Sequence, residues 1–129
     1  MTEQRISLET AKLAKEVGFN WRVQFYYSHK NIINDDGANL ANYNQEGLKT
    51  LSAPTQGLLQ KWLREVHYLM IVVNFKPKQE EFCASIVYQD KSSLYWRFKE
   101  VSSTLLYEDT LEIALYEALL LIKTTKNDK

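Results

Sequence analysis

The chain has 129 residues, a length that makes a single domain with a core of its own. Sixteen Lys and Arg balance sixteen Asp and Glu, so no global field draws it to nucleic acid or to an anionic membrane. One cysteine, Cys83, leaves no internal disulfide; with no secretory pattern at the amino terminus and no apolar run near the roughly 20 residues that span a bilayer, a soluble cytoplasmic protein with no membrane partner is expected.

Ser7 is placed to cap a helix over residues 8–17, with Leu8, Ala11, Ala14 and Val17 on one stripe and Gly18 to end it. Phe19, Trp21, Val23 and Phe25 alternate with Asn20, Arg22 and Gln24, the period of a half-buried strand that Tyr26 and Tyr27 extend. From Ser28 to Leu51 the pattern disappears. Asp35-Asp36-Gly37 is the strongest turn signal there, and Ile32-Ile33 suits a short edge strand paired to the Tyr26 region. A loop this long in a small domain is a natural place for function.

Pro54 suits the first turn of a second helix, running to Val66, with Leu58, Leu59, Trp62, Leu63 and Val66 on one face. Strands are expected over 68–75, stopped by Pro77, and over 82–89. Asp90-Lys91-Ser92-Ser93 should then turn the chain into a pairing strand over 94–100. A last helix over 107–123 carries Leu111, Ala114, Leu115, Ala118, Leu119 and Ile122 without a miss. Ile113, Tyr116, Leu120 and Leu121 lie off that stripe, which makes the helix either central or part of a homodimer contact. The polar residues 124–129 are expected as a disordered tail after a single domain over 1–123. The expected fold is α+β, a mainly antiparallel sheet of about four strands packed with three helices in the order α-β-α-β-β-β-α.

Reaction chemistry finds little to work with. His29 and His67 have no second His or Cys at helical spacing, and the four glycines are scattered, so neither a metal site nor a phosphate loop is expected. The calcium-loop template before Gly37 lacks its first ligand, since Ile32 stands there. Cys83 sits mid-strand among apolar neighbours, where a thiol behaves as a small hydrophobe. Glu65 and His67 stand two apart at the end of a helix and point to different sides. The expectation is a non-enzymatic protein with no catalytic residue, no metal and no cofactor; a small enzyme with an unrecognised site is the third reading, after the binding roles below.

The order helix, three strands, helix is similar to that of a double-stranded-RNA-binding domain, which seats phosphates with lysines at the start of its last helix. Leu106-Tyr107-Glu108-Asp109-Thr110 stands there and would repel phosphate. Single-stranded nucleic acid is the alternative partner, with Tyr95, Trp96, Arg97 and Lys99, or Trp21, Arg22 and Tyr26, offering rings and cations.

Three stretches together carry a family resemblance: TAKLAKE followed by Val17-Gly18-Phe19, then SAPTQGLLQKWLREVH over 52–67, then the acidic Leu/Ala helix over 107–123. They resemble an uncharacterised family of small proteins encoded in phage, prophage and mobile elements of Bacteroides-type gut bacteria. The layout is also similar to the phage αβα-sandwich domains. Gly57 departs from the pattern, where a serine is expected. The resemblance brings no activity and no site residues; it implies an accessory protein that binds a host or phage protein. The surface expected to do so is the 28–51 loop, with Tyr27, His29 and Tyr43, adjoining Trp96 and Arg97. As surface residues, Tyr43 and Trp96 should tolerate alanine without loss of stability.

Overall fold

A computed structural model describes residues 4–35, 37, 39–89 and 96–127. The order of elements is α1 (Leu8–Glu16), β1 (Phe25–Tyr27), β2 (Ile33–Asp35), β3 (Leu51–Ser52), α2 (Gln56–Val66), β4 (Met70–Lys76), β5 (Glu81–Gln89), β6 (Trp96–Thr104) and α3 (Tyr107–Asn127). The strands form two antiparallel three-stranded sheets, β2-β1-β3 and β4-β5-β6, so the fold is α+β with two small sheets in place of the single one expected. α3 packs on one face of the larger sheet and against both other helices, and β3 brings the smaller sheet onto α1.

α3 is the axle of this arrangement. Its stripe of Leu111, Ala114, Leu115, Ala118, Leu119 and Ile122 is buried throughout, and the two alanines, one turn apart at its middle, let the neighbouring layers approach closely. Tyr116, Leu120 and Leu121 also pack against the core, so the apolar surplus is mostly absorbed and Ile113 is left exposed. The helix continues past Lys123: the hydroxyls of Thr124 and Thr125 donate back to the carbonyls of Leu120 and Leu121, both at 2.8 Å. Residues 124–127, expected in the tail, are therefore helical.

α1 begins where Ser7 Oγ accepts from the Thr10 amide at 3.3 Å, and ends at Gly18, whose φ of 98° a side chain would resist. α2 begins two residues later than Pro54 suggested. Thr55 is the N-cap, its hydroxyl accepting from the Leu58 amide at 3.2 Å, because an oxygen acceptor satisfies an orphan donor that proline cannot. Of its expected stripe, Leu59, Trp62 and Leu63 are buried, Leu58 packs against them, and Val66 is exposed near the end.

The first predicted strand is corrected. Phe19 and Val23 are buried as the alternation implied, yet only Phe25–Tyr27 joins a ladder. The Phe19 amide instead donates to Ala14 O at 2.9 Å, and Val23 makes an isolated bridge with Ala41. The Ile33 segment pairs with β1 as expected, but the connection is the tight turn over 28–32, where Asn31 takes φ 63°. β6 extends to Thr104, beyond the expected end at Glu100, and carries a bulge where it passes Ala84 and Ser85. The expected turn over 90–93, with Leu94 and Tyr95, lies outside the described residues.

Candidate interaction surface

Cys83 is buried in β5, and a hydrogen bond with Glu100, together with burial, pushes its thiol up from the ordinary range. Glu100 in turn is held below the usual carboxylate range, first by Cys83 and then by Lys76, whose Nζ lies 3.3 Å from its Oε1. The larger sheet thus gathers Lys76, Cys83 and Glu100 from three strands in an arrangement that keeps the thiol protonated. His67 packs edge-on against Trp62, with ring centroids 4.7 Å apart, and His29 is exposed. Among the described residues no group of three or more His, Cys, Asp and Glu is placed to hold a metal ion, and no helix is long and apolar enough to cross a membrane.

The surface expected from the sequence is distributed differently. Tyr27 Oη donates to Ile6 O at 2.9 Å. Burial raises the Tyr27 phenol pKa, the nearby Glu112 raises it further, and Arg5 opposes both. Tyr43 stacks on Tyr26 with centroids 4.2 Å apart and packs against the core, so it is part of the architecture rather than a free surface ring. The segment around it is lashed down. The Tyr43 amide donates to Ser52 Oγ, Thr50 Oγ1 donates to Tyr43 O, and Asn44 bridges Phe19 O and the Ser52 amide. Lys15 Nζ closes the far end by donating to Leu48 O at 2.7 Å and Thr50 O at 3.0 Å.

Trp96 and Arg97 belong to β6, opposite Gln89 and Tyr88, and their side chains lie outside the described residues. β6 packs with β5 and α3, whereas β1 packs with β2 and β3, so the two halves of the expected surface stand on different sheets.

A different cluster forms at the end of the larger sheet where β4 finishes, β5 starts and β6 passes into α3. Phe82 bridges Phe75 and Tyr107, with ring centroids at 5.1 Å and 5.7 Å. Leu105 and Leu106 follow directly, and the four outer residues are open to solvent: Leu105 73%, Leu106 58%, Phe75 52% and Tyr107 43% exposed. The two leucines are held in place by the threonines around them. Thr104 Oγ1 accepts from the Leu106 amide at 3.3 Å and shares a 2.6 Å hydrogen bond with Thr110 Oγ1, which is 3.0 Å from Leu106 O. Glu108 and Asp109 stand beside them, exposed, in the first turn of α3.

Sequence reasoning passed over this cluster because its aromatic members come from three separate elements. Its one local signal is a pair of leucines in a strand-to-helix connection, where polar residues are the rule. Comparison of the chain with protein-family models, with curated proteins and with solved structures gives no match.

Proposed function

We propose that this is a non-enzymatic protein-interaction domain, an accessory protein of a phage or mobile element that binds a host or phage protein through the aromatic end of its larger sheet. One observation carries the reading: Leu105 and Leu106 are exposed on a turn that hydroxyl hydrogen bonds hold fixed. Exposed apolar side chains on a rigid support lose little conformational freedom when a partner covers them, and contiguous apolar patches of this kind mark interaction sites. The neighbouring Glu108 and Asp109 favour a partner with a basic rim around an apolar pocket.

Quantitative affinity capture tests the reading. Wild-type protein is compared with Leu105→Asp/Leu106→Asp and with Ile32→Asp, a substitution at an equally exposed residue beside the smaller sheet. The expected result is a partner lost from the double variant and kept by Ile32→Asp. Loss from the Ile32 variant alone would return the site to the 28–51 segment. Retention by both would remove the aromatic end from consideration.

A further inference from the structure

β4 is an edge strand of the larger sheet, and so is β6, but the two edges are not alike. β6 carries a bulge and, in sequence, the charges of Arg97, Lys99 and Glu100, the devices by which natural sheets discourage pairing with another chain. β4 reads MIVVNFK: it has no bulge, no proline and no charge before its last residue.

Main-chain groups of successive strand residues face opposite sides of the strand. Ile71 O accepts from Gln60 Nε2 of α2 at 3.1 Å, and the Leu69 amide donates to Leu63 O at 3.1 Å. Odd-numbered residues here therefore turn their main-chain groups away from β5, and Met70, Val72, Asn74 and Lys76 turn theirs towards it. One end of the outer edge is closed by Gln60 on Ile71. The other end is closed at Pro77, which has no amide hydrogen and whose carbonyl accepts from the Glu80 amide at 3.3 Å. Among the described residues, the open stretch between them consists of Val73 and Phe75.

We infer that this stretch pairs antiparallel with the same stretch of a second copy of the chain, about a two-fold axis at Asn74. That register sets Val73 opposite Phe75 of the second copy and Phe75 opposite its Val73, each pair exchanging both main-chain hydrogen bonds. The next position on either side sets Ile71 opposite Pro77, so the ladder stops where the acceptors are already occupied. Phe75, half exposed in the single chain, then lies across from Val73 of the second copy on the same face of the joined sheet.

Asn74, the residue that must meet its own copy, is exposed and uncharged, and so free of the self-repulsion that Lys or Glu would bring there. A free peptide gains the same few hydrogen bonds but has to be ordered first, whereas β4 of a second copy is already a strand. This pairing goes beyond the interaction reading above and does not rest on it. Leu105 and Leu106 follow β6, on the far side of β5 from this edge, and Phe75 is the residue that the edge shares with the aromatic end.

Sedimentation velocity of the full chain, with far-UV circular dichroism as the folding check, decides the matter. Wild type should dimerise by about 100 µM. Asn74→Lys and Asn74→Glu should each weaken association at least about tenfold by setting like charges on the axis. An equimolar mixture of the two variants should associate again, because the axis then joins opposite charges. A monomeric wild type, a dimer indifferent to both substitutions, or a mixture that stays monomeric each overturns the inference; the second would send the contact to another surface such as Ile113 on α3. If either variant fails to fold, hydrogen exchange on wild type replaces it. Slowing of the Val73 and Phe75 amides with rising concentration supports the pairing, and concentration-independent exchange at both overturns it.

Discussion

Glu112 shows how much of this structure turns on single polar residues. Its carboxylate, on α3, accepts from the Ser7 amide at the start of α1 at 3.0 Å, from the Thr10 hydroxyl, and from Gln56 Nε2 at the start of α2 at 3.0 Å. An anion beside two helix N-termini lies at the positive ends of both helix dipoles, and the Ser7 amide it accepts from is a donor that α1 leaves without a carbonyl of its own. Tyr27 stands close enough to feel that charge, and it supplies a pH test. Its folded-state pKa lies above the unfolded value of about 10, so the stability it contributes is fully present below that pH. That contribution is lost as the pH rises through the folded pKa, because the unfolded chain releases the proton first. Tyr27→Phe should lower stability at pH 7 by about 0.5–1.5 kcal/mol, the worth of its hydrogen bond to Ile6 O. The gap from wild type should then narrow in denaturant titrations above pH 10 or so. A gap that is constant across the alkaline range would mean that Tyr27 is not the group that feels Glu112. Trp62 shows the opposite case: its Nε1 is buried without an acceptor among the described residues, an expense of about 1–3 kcal/mol that its ring packing against Phe19 and His67 has to offset.

Among the elements, the passage from β6 into α3 is where local hydrogen bonding prepares a surface. Thr110 is fully buried, and its hydroxyl ties the Leu106 carbonyl and Thr104 together. Thr110→Val keeps the shape and removes those bonds. The expected cost is about 1–2 kcal/mol, with faster hydrogen exchange at the Leu106 amide than elsewhere in the turn. Unchanged exchange would show that the leucines are held by something other than the hydroxyl pair. The same elements show what a sequence reveals. The α3 stripe was legible throughout because burial along a helix repeats at a fixed spacing that side-chain types report directly. The β1 region was legible only in part. Alternation reported the burial of Phe19 and Val23 but not which backbone groups found a ladder, since those choices depend on Ala14 and Ala41 elsewhere in the chain. β3, with two residues, is too short to show a period. The aromatic end and the Lys76, Cys83, Glu100 group were illegible for a related reason. Each is created by register across separate strands, and register is a property of the pairing rather than of any one segment.

Taken whole, the molecule is two small sheets that would be marginal alone, joined through helices that share one core. Three-stranded sheets with strands as short as two and three residues need a covering layer to persist, and α1 supplies it for β3 while α3 supplies it for the larger sheet. Because α1 and α3 also pack on each other, loss of either layer exposes the other's apolar face, and unfolding should be a single event. Tryptophan fluorescence, with Trp21 and Trp62 both packed in the common core, and far-UV ellipticity should therefore report coincident urea transitions. Leu115→Ala, at a fully buried position of α3, should shift both by the same amount, about 2–5 kcal/mol. Two separated transitions, or a Leu115 variant that moves one probe and leaves the other, would mean that the smaller sheet and its long connection form an independent unit. In that case the lashing of residues 28–51 by Lys15, Asn44 and Ser52 would be what holds that unit together, and α3 would be the axle of the larger sheet alone.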